Sequence, residues 1–254
     1  MNAEKANSFL EQAERINPNL SRVYTVKGLM YNITRKSEEA KEAFEKAIDL
    51  SPNDVNARNQ YATYYYYIND YENQLEQAEM AYRLDPLSFP IAISYFTALN
   101  YNNEFDRAER LLKNIEMTFK EKNEFVINRS YMRLYLSKED YSKAIPPIKE
   151  LMKTNSEYDR FLGYCYSQLG DSVAAMNVIK TMQGYPEYYD RNYNIAVVFA
   201  GLKQNDSVFY YLDTVRNTSK RFNDRGWIFF EYLKDDPRFH ALLEQHGLEK
   251  NIEE

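Results

Sequence analysis

The 254-residue chain contains one cysteine, Cys165, and two histidines. A single thiol cannot form an internal disulfide, and no cysteine-based zinc site can be built on it. A reducing, cytoplasmic setting is the expectation. His240 and His246 stand six residues apart, off one another's face of a helix, with no third ligand in view. With 7 glycines and 8 prolines, the composition fits helices joined by short loops better than an all-β chain. No glycine-rich phosphate loop occurs. A net charge of −6 lacks the basic footprint that sequence-independent nucleic-acid binding needs. The longest convincing apolar stretch, Ile195 to Leu202, is far too short to span a membrane. Glu4, Lys5, Glu11 and Glu14 lie where a signal peptide would carry its apolar core. Carboxylates are plentiful, yet none pairs in an apolar setting suited to acid–base work. Cys165, between Tyr164 and Tyr166, has no local base or helix N-terminus to activate it. The expectation is a non-enzymatic chain with no cofactor and no metal.

What the chain does have is a period. In Glu39 to Pro52, the residues Ala40, Phe44 and Ala47 share one helical face, and Pro52 stops the helix. The same frame appears 34 residues earlier as Ala6, Leu10, Ala13 and Pro18, and 34 residues later as Gln74, Ala78, Ala81 and Pro86. Small residues such as Gly28 and Ala40 let paired helices close to about 8–10 Å. The first full repeat covers about 21–54, and the others follow at about 55–88, 89–122, 125–155, 156–188 and 189–220. Ser37 is the expected N-cap of the first repeat's second helix. Asn69-Asp70 and Gly170-Asp171 mark turns. The third repeat lacks a closing proline, so its second helix is expected to run on toward Lys122. Pro146-Pro147 predicts a kink or a delayed start in the fourth, since each interior proline costs about 3 kcal/mol. Residues 221–254 read as closing helices, with Asp236 as a cap and Pro237 in the first turn. The end, Glu249 to Glu254, should be frayed. Residues 1–20 supply only the second half of a repeat, which points to a chain cut from something longer.

This 34-residue helix–turn–helix frame resembles the tetratricopeptide repeat family from about Ala3 to Lys220. The resemblance implies an all-α, right-handed superhelix of about six helix pairs, with flanking helices, forming one domain over 1–254. It also implies a partner protein or peptide held in the concave groove. A narrower resemblance, over Tyr232 to Leu248, is to the closing segment of repeat regions in bacterial signalling proteins such as cyclases, winged-helix regulators and kinases. It implies a non-catalytic regulatory or docking part. No cyclase, kinase or DNA-binding motif is present in the chain itself.

In the first repeat, Tyr24, Gly28 and Tyr31 define the packed face, and Arg22, Thr25, Leu29 and Asn32 the opposite one. The resemblance implies that the opposite face lines the groove. Carried forward, it becomes Asn56, Asn59, Thr63 and Tyr66, then Ile93, Thr97 and Asn100. Asparagine offers donor and acceptor together, suiting it to the main chain of an extended peptide. Within Tyr64-Tyr-Tyr-Tyr67, Tyr65 should pack with Tyr61 while Tyr66 and Tyr67 face the groove. Arg129 and Arg133 fall one turn apart on the same face, joined by Arg160. Such guanidinium groups suit carboxylates or phosphate, so a freestanding sensor of a small anionic ligand is the alternative. Pairing of Arg160 with Glu157 or Asp190 is the plainer reading.

Overall fold

The computed structural model describes residues 3–186, 191–215 and 226–245. Among them are thirteen α-helices, two short 3₁₀ segments and no strand. The chain divides into two compact units, 1–130 and 131–254. In the first, α1 (Ala3–Ile16) precedes the pairs α2 (Ser21–Ile33) with α3 (Ser37–Leu50), and α4 (Val55–Tyr67) with α5 (Tyr71–Leu84). Then come α6 (Phe89–Tyr101) and α7 (Phe105–Ser137), the latter contributing to both units. The second unit holds α8 (Tyr141–Met152), α9 (Asp159–Gln168), α10 (Ser172–Gln183), α11 (Arg191–Gly201), α12 (Asn205–Leu212) and α13 (Pro237–Gln245).

Each pair closes over the small residues that the period singled out. Ala40, Phe44 and Ala47 are fully buried. A Cβ on Gly28 would lie 2.7 Å from the Phe44 ring, so the bare α-carbon is what lets α2 approach α3. Phe44 stacks on Tyr61 at 5.4 Å and tilts against Tyr64 at 6.0 Å, tying the first pair to the second. Burying such a ring contributes about 1.5–3 kcal/mol. In the second unit a Cβ on Gly163 would meet the Val198 side chain at 2.5 Å, so α9 and α11 also pack through a missing side chain. Gln74 takes the slot held by Ala40 in the preceding repeat; it is 3% exposed, and its Oε1 has no hydrogen-bond partner.

The corners inside the pairs are copies of one another. Arg35, Asn69, Asn103, Glu139, Gly170 and Lys203 all have positive φ, between 57° and 79°. Each stands two residues before its following helix. In every case the next amide donates back across the corner to the carbonyl five residues earlier: Lys36 to Tyr31, Asp70 to Tyr65, Glu104 to Leu99, Asp140 to Tyr135, Asp171 to Tyr166 and Gln204 to Phe199. The positive-φ residue donates to the carbonyl three back, completing a Schellman motif at each corner. Asp70, Asp140 and Asp171 then cap the following helices by accepting from Asn73, Lys143 and Ala174.

Several local expectations are corrected. Ser37 does not cap α3: it is the helix's first residue, Lys36 holds the cap position, and the Ser37 hydroxyl meets the Tyr64 hydroxyl at 3.1 Å. The delayed start at Pro146-Pro147 is absent. Helix α8 begins at Tyr141 behind the Asp140 cap and continues through both prolines. Fully buried Ala144, Ile148 and Leu151 (1% exposed at most) anchor it on both sides, so packing outweighs the two lost hydrogen bonds. The second helix of the third repeat does run on toward Lys122, where helical geometry breaks at Asn123; the remainder of α7 to Ser137 is a second helix joined across that kink.

The closing segment packs as apolar cover. Phe230, Phe239, Leu242 and Leu243 join the core of the second unit. Arg238 reaches Asp206 at 2.7 Å and Asp236 at 2.8 Å while lying over the Phe209 ring. The Arg238 amide also donates to Asp236, so Asp236 and Pro237 open α13 as expected. His246 and the polar end lie outside the described residues; His240 is exposed.

Candidate functional site: the first-helix face of the repeats

In the first unit, α2, α4 and α6 are the leading helices of successive pairs and lie side by side. Asn56, Asn59, Thr63 and Tyr66 follow one face of α4, and Ile93, Thr97 and Asn100 the matching face of α6. Asn56 is exposed; Asn59, Thr63, Tyr66 and Asn100 are half-buried. The two threonines are turned inward: the Thr63 hydroxyl donates to the Asn59 carbonyl at 3.0 Å and that of Thr97 to the Ile93 carbonyl at 2.8 Å. The Asn59 carboxamide oxygen is buried with no hydrogen-bond partner. Thr25, placed by the frame on this face in α2, is instead buried, its hydroxyl donating to the Ser21 carbonyl. There Ser21 reaches across to the Ala47 carbonyl at 3.0 Å and the Asp54 carboxylate at 3.3 Å, drawing the start of the helix into the core.

Within the tyrosine run, Tyr65 pairs with Tyr61 as expected. Tyr65 packs on Tyr61 with ring centres 4.4 Å apart, and its hydroxyl donates to that of Tyr61 at 2.7 Å. Burial pushes both phenols upward from the ordinary tyrosine range. Tyr64 is buried too. Tyr66 contacts Tyr101 at 5.2 Å, hydroxyl to hydroxyl 3.3 Å, and Tyr67 is 66% exposed.

The arginines part company. Arg129 and Arg133 are exposed, one turn apart on α7. Arg160 is engaged within its own unit. Its guanidinium donates to the Glu157 carbonyl at 2.9 Å and to Asn194 Oδ1, one repeat onward, at 3.1 Å, and lies 4.4 Å from the Phe161 ring centre. This bond to Glu157 is to its main-chain carbonyl; Asp190 lies outside the described residues. An arginine so occupied does not favour the anion-sensor alternative.

Two further polar features lay beyond the sequence reading. Asp159, 2% exposed, opens α9 and accepts from the Tyr185 hydroxyl at 2.6 Å. Burial raises its carboxyl pKa, against the lowering effect of that bond, and pushes Tyr185 up to about 12. Asp159 occupies the slot that Tyr24 fills in the first repeat, which is the signal that was there to be read. A cavity of about 250 Å³ lies where α10 ends and α11 and α12 meet. Its polar groups bond one another, Asn192 to Thr214 at 2.8 Å and Gln183 to Tyr211 at 3.1 Å, leaving no convergent set for a ligand. Cys165 is fully buried, and burial pushes its thiol up to about 12. Among the described residues no three metal-ligating side chains cluster, and no helix is long and apolar enough to cross a membrane.

The repeated pairs, common corners and face of leading helices have counterparts among known proteins. Residues 21–54 match the tetratricopeptide repeat family model. No curated protein matches the sequence. Among solved structures, a tetratricopeptide repeat protein from Parabacteroides merdae is 14% identical, covering 98% of this chain and 93% of its own, with a TM-score of 0.68. PilW, a type IV pilus biogenesis factor, is 16% identical over 74% of this chain and 89% of its own, at 0.63. YrrB, a TPR protein with an unusual peptide-binding site, is 13% identical over 67% of this chain and 89% of its own, at 0.55. The fold is therefore that of stacked tetratricopeptide repeats, a scaffold suited to protein–protein interaction.

Proposed function

We propose that the chain docks a protein or an extended peptide on the face formed by its leading helices, the concave groove implied by the fold. The observation that carries this is the alignment of Asn56, Asn59 and Asn100 along α4 and α6. Carboxamides both donate and accept, so a row of them can pair with successive main-chain groups of an extended segment without demanding a sequence. The peptide-binding site named for YrrB, on the same fold, lends support. The chain then acts as the non-catalytic docking or regulatory part of a bacterial signalling protein, a role that rests on the resemblance of the Tyr232–Leu248 tail alone.

A photo-crosslinking amino acid placed at Asn56 or Thr97 tests the face directly. Polypeptide adducts should form from these two positions and not from Glu42 or Glu76 on the second helices. Equal labelling from both sets overturns the proposal.

A further inference from the structure

The charged side chains of the first unit are sorted by helix. Helices α4 and α6, thirteen residues each, hold one between them, Arg58. The fourteen residues of α3 hold seven, all exposed, and those of α5 hold four. Charged residues make up 28% of the chain, so their near-absence from two whole helices is a local feature. Arg58 itself is turned toward α5: its guanidinium donates to the Gln77 carboxamide at 2.9 Å, and its Nε to the Pro52 carbonyl at 2.7 Å. On α2, Lys27 is likewise spent on Glu14 of α1, and exposed Arg22 is the charge at which the neutral stretch ends. Burial does not account for the pattern. Asn56, Tyr67 and Pro90 are exposed yet neutral, whereas half-buried Glu79 on α5 carries a charge.

From this sorting we propose that the face of α4 and α6 selects segments of a partner polypeptide that carry no charged side chain. The inference rests on the peptide-docking reading above and names the class of peptide that the same face takes. Its physical basis is the cost of desolvation. A lysine or glutamate laid against Asn56, Asn59, Thr63, Ile93 and Thr97 would give up water and meet no countercharge, and an ion so placed is heavily penalised. The threonines offer such an ion little, because their hydroxyls already donate to the carbonyls of Asn59 and Ile93. Serine, threonine, asparagine, glutamine and small apolar side chains carry no such penalty, and the carboxamides of the face can pair with their main chain. The face therefore discriminates by what it lacks: it rejects charge of either sign and leaves the order of the neutral residues open.

The test is a random peptide library captured by a photo-crosslinking amino acid at Thr97, with the peptides recovered as adducts then sequenced. Aspartate, glutamate, lysine and arginine should each be depleted about threefold or more relative to the starting library. The affinity of a recovered peptide should change by less than about twofold between about 0.05 and 0.5 M sodium chloride, since no ion pair is there to be screened. Asn56→Asp places one carboxylate on the exposed part of the face, and circular dichroism checks that the fold is kept. It should bring lysine and arginine back into the recovered sequences and make their binding weaken with salt. Charged residues recovered at their starting frequency overturn the proposal, as does a selection that Asn56→Asp leaves unchanged. Adducts between two copies of the chain in place of peptide adducts also overturn it, assigning the face to self-association. If peptides are captured but charged ones are among them at full frequency, this inference falls while the docking reading stands. Failure to capture any polypeptide removes the two together.

Discussion

Gly28→Ala offers the sharpest test of how the helix pairs close, because two effects of similar size oppose each other there. In an exposed helix interior, replacing glycine by alanine stabilises by about 1 kcal/mol. Here the new methyl would land 2.7 to 2.8 Å from three atoms of the Phe44 ring. Carbon atoms prefer about 3.5–4.0 Å, so the ring would have to retreat by about 1 Å. It has nowhere to go: Phe44 is fully buried and hemmed by Tyr61 at 5.4 Å and Tyr64 at 6.0 Å. Overpacking of this kind costs about 1–3 kcal/mol, and the rigid, enclosed ring puts it toward the upper end. Gly28→Ala should therefore destabilise by about 1–2 kcal/mol net, read as a lower urea midpoint in far-UV circular dichroism. Phe44→Leu alone should also destabilise, by about 1–2 kcal/mol of lost packing. The double variant should recover much of the alanine penalty, giving a coupling of about 1 kcal/mol or more in a double-mutant cycle. A Gly28→Ala protein at or above wild-type stability, or an additive cycle, would refute the close-approach argument.

Two other substitutions probe the corners and the buried carboxyl. Lys203→Gly and Glu139→Gly, at positive φ, should each raise thermal stability by about 0.5–1 kcal/mol, because glycine escapes the left-handed penalty but gives back part of the gain as chain entropy. Unchanged melting temperatures count against the strain. Asp159 has its folded pKa raised by burial, so it favours the fold fully below its unfolded value, about 3.9, and that contribution is lost as pH rises through the folded value. Asp159→Asn should thus gain on the wild type as pH rises from about 4 to 7. Tyr185→Phe, which strips the carboxylate of its donor, should cost about 1–3 kcal/mol at neutral pH and less in acid. Urea midpoints across that pH range check both, and a pH-independent difference rejects the linkage.

The packing of the fold was legible in the sequence where it depends on volume. Gly28, Ala40 and Ala47 recur because a larger side chain would hold the helices apart, and such constraints leave a period. The frame that buries Tyr61 and Tyr65 also dictates which side of α4 carries Asn56 and Asn59. Thr25 escaped because its neighbour Ser21 pulls that turn inward through bonds to residues far along the chain. Asn194 as an acceptor for Arg160 was not legible, because it lies a full repeat away. Proline spoke too loudly at Pro146-Pro147, where local propensity yields to a well-anchored face.

The corner bonds use only main-chain atoms, and that has an evolutionary consequence. A hinge closed by amides and carbonyls forms with Asn69, Gly170 or Lys203 at its centre, at a cost that differs between them. Selection on side chains can relax there while the bend is inherited unchanged. The family model in turn matches residues 21–54. The later units remain copies in backbone after their sequences have drifted apart, like verses that keep their metre once the words have changed.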